Sequence, residues 1–490
     1  MSKSLEITGQ LPKDYDVYES SIKESGETIY ALTKGPAETK RLFVSGAGAK
    51  VFSGEEKGDN RKLCPLTWEN AQKLMNEFGW LVPTLPSAEP SFGFGDRLGL
   101  ATPGHVKSVR EKKVFPFFAQ QSVREMERTG RSPEDVMNTA VWGVFEEGYE
   151  SGFAADADHL KSRKAMEKAT SVGFNMFTCD PSEYVNPKAD RMSDEELDTA
   201  FSEISEGKEL LKKYSGQKFT AELPGRDYEF EDVFKEKDVK KAAVKYFPAV
   251  KFAIKFYNWI AESVEGEFAF EVSVDETETP TSPLEHLFVA RELTERGVEL
   301  FSLAPRFVGN IQKGIDYIGD LEVFEEHLRA HAAIANYFGN YRLSLHSGSD
   351  KFSIYPYFAE YLGEGVHVKT AGTSYLEAIR LVAEKNPDLF RKVHAFALER
   401  FDEDRATYHV ETDLSKVPGP EELPDEDLPD LLDEDDSRQV FHVTYGSVLT
   451  LRKGGQYVFK DEIIETLKEH EQRHYQLLES HLGHHLKLLT

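Results

Sequence analysis

From residue 91 onward the chain repeats one unit: a short apolar run, a polar break, then a helix-like stretch. The apolar runs fall at 91–95, 114–120, 152–157, 173–179, 268–274, 300–305, 342–345 and 365–370. Helical periodicity marks 132–149, 283–296, 320–338 and 374–400 between them. Strands separated by whole helices pair in parallel, because the crossover returns the chain to the same end of the sheet. Eight such units predict an α/β fold of the (β/α)8 TIM-barrel type, over residues 89–416. An open doubly wound sheet is the competing arrangement, but no Gly-x-Gly-x-x-Gly loop follows an early strand to cradle a dinucleotide.

The flanks read differently. Residues 1–88 form an N-terminal α/β extension, with strands expected at 28–32 and 41–45 and a helix at 67–78. The fourth connection is long. Residues 181–267 read as a helical insertion, with helices at 193–214 and 232–263, suited to a lid or a subunit contact. Residues 417–437 are acidic and proline-rich, which predicts an exposed connector. A C-terminal strand and helix over 438–490 are expected to pack on the barrel. His470 and His474 share a face of the helix expected at 461–489, but they lack zincin order, so a solvated helix is the better reading.

Composition narrows the function classes. Lys and Arg total 59 against 86 Asp and Glu, a formal charge of −27. An acidic surface of that size repels nucleic acid and anionic membrane. Cys64 and Cys179 are too few for a disulfide framework, and residues 1–6 lack the apolar core of a secretory signal. No run reaches the roughly 18–20 apolar residues of a membrane span. The expectation is a soluble cytoplasmic protein acting on a small molecule; a homo-oligomer is compatible with it.

Three strand ends carry chemistry. Ala155-Asp-Ala-Asp-His159 places Asp156 and Asp158 on one face of a strand, with His159 where that strand is expected to give way. Capping would explain one Asp, yet three ionisable groups in four residues exceed what a cap needs. Glu271 interrupts an apolar strand, where a carboxylate must be paired or used. Asp275, Glu276 and Glu278 follow it. His346 ends another strand beside Asp350 and Lys351, and His367 and Lys369 lie on the next; a buried lysine there is also a Schiff-base candidate. Imidazoles and carboxylates converging on a barrel mouth point to proton transfer assisted by a divalent metal. His159 and His346 are the first two ligands, and the third is Gln312, Glu271 or Asp275. Such a set does not distinguish Zn, Ni, Mn and Co. Arg97, Arg306 and Lys351 are candidates for an anionic substrate group, and Gln120, Gln121 and Arg124 for its hydroxyls.

Several long words, taken together, resemble a known family. They include Phe94-Gly-Asp-Arg-Leu-Gly99, Phe118-Ala-Gln-Gln-Ser-Val-Arg-Glu125, Ala155-Asp-Ala-Asp-His159, Phe270-Glu-Val-Ser-Val-Asp275, Ser344-Leu-His-Ser-Gly-Ser-Asp-Lys-Phe352 and His367-Val-Lys-Thr-Ala-Gly-Thr-Ser-Tyr375. Residues 91–446 in this respect resemble the tagaturonate epimerases of hexuronate catabolism, members of which also act on fructose and tagatose. The resemblance implies a divalent metal and interconversion of D-tagaturonate with D-fructuronate. It implies Asp158 as proton acceptor, Glu271 as proton donor, His159 and His346 as metal ligands and a third ligand near Gln312. Arg97, Gln121, Arg306, Lys351 and Lys369 are then the substrate-binding candidates. The inverted carbon lies β to the ketone, so simple enolisation does not acidify its hydrogen. Retro-aldol cleavage and re-addition is the expected route. The alternatives are a metal-dependent ketose/aldose isomerase on the same barrel and a carbohydrate-binding protein without catalysis. The paired Asp158 and Glu271 argue against the latter.

Overall fold

The computed structural model describes residues 11–12, 14–86, 88–275, 277–339 and 341–490, with the backbone alone of residue 407. Glu276 and the N-terminal residues read for a signal lie outside the described residues. Eight strands form a closed barrel in sequence order: β1 (Ser91–Phe94), β2 (Phe115–Ser122), β3 (Ala154–Leu160), β4 (Met176–Cys179), β5 (Ala269–Ser273), β6 (Ser302–Ala304), β7 (Arg342–Leu345) and β8 (Val366–Thr370). The ladders from β3 through β8 are parallel. Strands in such a barrel are covered on both faces, which is why their sequences read as continuous apolar runs. All eight expected strands are present.

The chain divides into two compact units. One comprises residues 85–93, 156–370 and 487–490. Its helices include α1 (Glu236–Ser263), α2 (Pro283–Thr294) and α3 (Leu321–Tyr337). Ser282 and Glu285 form a capping box at the start of α2, with Pro283 at the first helical position. The 181–267 insertion is less uniformly helical than its sequence implied. The expected helix at 193–214 is two, Asp194–Ser202 and Gly207–Tyr214. Residue 232 belongs to a hairpin, Lys218–Glu222 with Glu229–Val233, whose faces alternate between buried and exposed along its first strand. A buried lysine ties this insertion to the loop after β5. Lys245 Nζ lies 2.8 Å from Asp190 Oδ2, 3.0 Å from Glu285 Oε1 and 3.1 Å from Thr279 Oγ1.

The other unit comprises residues 1–84, 94–155 and 371–486. Its N-terminal part is a six-stranded antiparallel sheet that contains both expected strands. The stretch at 374–400 is two helices, α4 (Thr373–Lys385) and α5 (Pro387–Asp404). Proline cannot continue a helix, and Asn386 caps the next one by accepting from Leu389 N. The expected C-terminal strand is a two-residue hairpin, Arg452–Lys453 with Gln456–Tyr457, and residues 438–450 belong to a helix, α6 (Asp435–Thr450). That helix is buried nearly all round, so it lacks the one-sided period that separates helix from strand by eye. The acidic segment is not a free connector either. Its short helix Asp425–Leu432 buries Leu428, Leu431 and Leu432, while Asp425 and Asp433 pair with Arg391 and Arg380. The final helix is interrupted at His470, giving Lys460–Glu469 and α7 (Glu471–Leu489). His474 and His485 are buried rather than solvated, which corrects the expectation for this segment. Among the described residues no helix is long and apolar enough to cross a membrane.

Candidate active site

β3 contains a bulge where the chemistry begins. Ala157 pairs with Phe177 and Leu160 with Cys179, so β3 holds one residue more than β4 over that span. His159 takes up the extra residue in a left-handed conformation, φ 54°. For a non-glycine residue this costs about 1–2 kcal/mol. In an unbulged strand Asp158 and His159 would face opposite sides. Here His159 Nδ1 lies 2.8 Å from Asp158 Oδ1. The same backbone device recurs after β7, at Ser347 (φ 51°) and Asp350 (φ 61°).

Glu271 stands at the centre of a polar layer that strand register builds. Thr178 on β4 and Ser302 on β6 are its direct partners in the two flanking ladders. Ser302 Oγ donates to Glu271 Oε2 at 2.5 Å, and Thr178 Oγ1 approaches Oε1 at 3.4 Å. His346 Nε2 lies 2.7 Å from Oε1, and its other ring nitrogen is 3.4 Å from Asp275 Oδ1. The rings of His159 and His346 are 4.9 Å apart. Lys369 Nζ reaches across to Asp156 Oδ2 at 2.7 Å, Asp158 Oδ1 at 2.9 Å, Glu271 Oε1 at 2.7 Å and Thr178 Oγ1 at 2.6 Å.

This packing sets the charges. Burial alone would raise the pKa of Glu271, but Lys369 and His346 outweigh it and hold the carboxyl well below its usual range. Burial works against Asp158 too, and His159 with Lys369 keeps it well below its ordinary value. Asp156 differs: burial and its two acidic neighbours outweigh Lys369 and push it up to about 6. Burial disfavours the charged form of His346, yet Asp275 and Glu271 raise its pKa to about 10. Burial likewise opposes charge on Lys369, and three carboxylates hold it well above a normal lysine. A lysine kept protonated is not a nucleophile, which removes the Schiff-base reading.

The donor set fits a divalent cation. One nitrogen from each of His159 and His346, with an Asp275 oxygen, lies within 4.8 Å of the others, and Asp158, Glu271 and His346 form a second such group. The Nδ1 atoms of both histidines are shielded from solvent and make no hydrogen bond of proper angle, although carboxylate oxygens stand 2.8 and 3.4 Å away. Imidazole nitrogens set beside carboxylates match the ligand chemistry of a metal centre built from two histidines and one carboxylate, where a bound cation would take the place of the imidazole protons those carboxylates favour.

Other expected residues are placed differently. Lys351 is fully buried and spends its ammonium on the carbonyls of Gln312 at 2.8 Å, Ser349 at 2.8 Å and Ile315. It staples loops, with no N–H left for a substrate. The Arg306 guanidinium donates to the carbonyl of Thr277. Gln312 is buried on the connection between β6 and α3. His367 is neutral, its pKa lowered to about 3 by burial, and its Nδ1 lies 2.8 Å from Ser91 Oγ. Arg97, Gln120, Gln121 and Arg124 belong to the other unit. Arg97 there pairs with Glu125 at 2.8 Å and stacks on Tyr445, and Gln121 accepts from Arg131. Sequence reasoning missed Thr178 and Ser302. Their one signal was a hydroxyl inside an otherwise apolar run of sequence.

The sequence profile of the tagaturonate epimerases (UxaE) matches residues 18–489. The chain belongs to this family. It is 44% identical over 482 residues, 97% of each chain, to a tagaturonate/fructuronate epimerase of Thermotoga maritima. The crystal structure of fructuronate-tagaturonate epimerase UxaE from Cohnella laeviribosi superposes with a TM-score of 0.94 at 40% identity, covering 100% of this chain and 99% of that one. A glycerol complex of the same Cohnella enzyme gives a TM-score of 0.93 at the same identity and coverage. As a tagaturonate epimerase family member, the protein is an isomerase. Its polar cluster occupies the strand ends of the barrel, where such barrels build their active sites.

Proposed function

We propose that the protein interconverts D-tagaturonate and D-fructuronate by inverting the hydroxyl-bearing carbon β to the ketone, as a cytoplasmic step of hexuronate catabolism. The neutral pair fructose and tagatose, which carries the same reacting carbons, is a second substrate class for the same site. The observation that carries this reading is that two groups of possible ligands, His159–Asp275–His346 and Asp158–Glu271–His346, meet at His346 in a chain of this family.

Asp158, held ionised, is the base that takes the hydroxyl proton of the inverted carbon. Loss of that proton lets the adjacent carbon–carbon bond open, leaving an aldehyde and an enolate. The aldehyde turns its other face and the bond re-forms with inverted configuration. Lys369, Ser302 and His346 hold Glu271 as a carboxylate at rest, so it takes a proton from solvent before giving it to the new alkoxide on the far side. Asp158 releases the proton it removed to solvent as the product leaves. His159, His346 and Asp275 would hold the divalent cation, with the Gln312 amide oxygen as a further neutral donor. When bound, the cation supplies Lewis-acid polarisation of the keto oxygen. Arg306 is the proposed partner of the substrate carboxylate, in place of the occupied Lys351. The 181–267 insertion would help retain the cleaved fragments.

Incubating purified protein with D-tagaturonate and chromatographing the products tests the reaction. Fructuronate as the sole new hexuronate supports it. An aldose product would show ketose/aldose isomerisation instead, and binding without turnover would show a sugar-binding protein.

A further inference from the structure

Lys369 is the most heavily engaged charged group of the cluster, and the acid/base reading above gives it no task. An ammonium has three N–H donors. Four oxygens stand within 2.9 Å of this one, three of them from carboxylates: Asp156, Asp158 and Glu271, with Thr178 as the fourth. A donor set so occupied has none to offer a substrate. A purely structural buried pair would balance one charge with one; here a single cation serves three acids. Two of those are the reactive pair. The third, Asp156, is fully buried one pleat deeper on β3 and is paired with Lys369 rather than with either histidine of the candidate metal set. Thr178 locks the arrangement from β4, because its hydroxyl also donates to Asp156 Oδ1 at 3.0 Å.

We propose that Lys369 is the positioning residue of the acid/base pair: its ammonium ties Asp158 and Glu271 to one point, and Asp156 is the counter-ion that keeps it there. The inference rests on the reading of Asp158 and Glu271 given above. Three carboxylates this close repel one another, and only a cation between them holds two at fixed separation while leaving them reactive. Asp156 draws the ammonium down into the barrel, so that it neither follows the substrate nor collapses onto one member of the pair. Direction of charge supports this: burial disfavours the ammonium, and the three acids together overcome that cost.

The test is steady-state kinetics on D-tagaturonate with Lys369→Met, Lys369→Ala, Lys369→Arg, Asp156→Asn, Asp158→Asn and Glu271→Gln, with folding checked by circular dichroism and thermal melts. Loss of a positioning partner lowers kcat by about 10- to 100-fold, while KM moves by no more than about threefold because no substrate contact is lost. Added ethylamine restores part of kcat to Lys369→Ala, which a merely structural role would not allow. Asp156→Asn combined with Lys369→Met is no slower than Lys369→Met alone, since both act through one ammonium. Wild-type kcat in Lys369→Met, a raised KM with intact kcat, or a folded Lys369→Ala that ethylamine leaves unchanged overturns the proposal. Should the Met and Ala variants fail to fold, Lys369→Arg keeps the charge but brings a planar fork. It is then expected to lose kcat, and a wild-type kcat overturns the proposal. If Asp158→Asn and Glu271→Gln keep full activity, the underlying acid/base reading has failed. If they are inactive while the Lys369 variants keep kcat, only this inference has.

Discussion

Glu271 illustrates how a single residue is readable in part. A carboxylate between Phe270 and Val272 announces itself in any strand-like run, because burying it alone is costly. Its partners do not announce themselves. Thr178 and Ser302 become neighbours of Glu271 only through barrel register, and register between strands some 93 and 31 residues away in sequence is invisible in a linear string. The same holds for Asp275, one of three residues offered as the third ligand and the one the fold brings to both His159 and His346. Lys351 misled for the converse reason: beside a Gly-Ser turn it looks like a substrate contact, yet three carbonyls take it up. At this scale Ser302→Ala is expected to lower kcat about 10-fold, as loss of a supporting hydrogen bond does. KM should be unchanged, and a matched rise in KM with constant kcat would place Ser302 at the substrate instead.

At the scale of elements, all eight barrel strands were legible, because strands covered on both faces are written as plain apolar runs. Helix ends were less so. The break at Asn386-Pro387 was present in the sequence and outweighed by the periodicity on either side of it. The helix Asp435–Thr450 was not read as one because tertiary burial on all sides erased its amphipathic period. The insertion's anchor was not legible at all, since Lys245, Asp190 and Glu285 are brought together from three elements. That anchor holds Thr279, in the 277–282 segment that leads from the strand bearing Glu271 into α2. Lys245 has no exposed side-chain surface, so Lys245→Met strands buried carboxylates and is expected to cost about 3–5 kcal/mol. Denaturant unfolding measures that loss. Amide exchange should quicken in 277–282 ahead of the barrel strands; uniform exchange across the unit would count against a local clamp.

For the molecule as a whole, buried histidines dominate the response to mild acid. Burial lowers the pKa of His105, His327, His394 and His474 to about 4 and of His286 to about 3, and His331 falls well below its ordinary value. Each is neutral when folded and protonates near 6.5 when unfolded. The unfolded chain therefore binds more protons below that pH, and stability present above about 6.5 is lost as pH falls toward 4. His159 and His346, with raised pKa, act in the opposite sense but are outnumbered. Each buried neutral histidine contributes at most about 1.4 kcal/mol per pH unit in that window. Melting temperature is expected to drop steeply between pH 6.5 and about 4.5, before most carboxylates titrate; a flat profile there would contradict neutral burial.

The measurement that bears most directly on the whole account is conversion of D-tagaturonate by the wild-type protein and by Asp158→Asn at equal concentration. Wild type should yield fructuronate, and the variant should fall by about 100-fold or more while remaining folded. An aldose product, or a variant that turns over at the wild-type rate, would contradict the account.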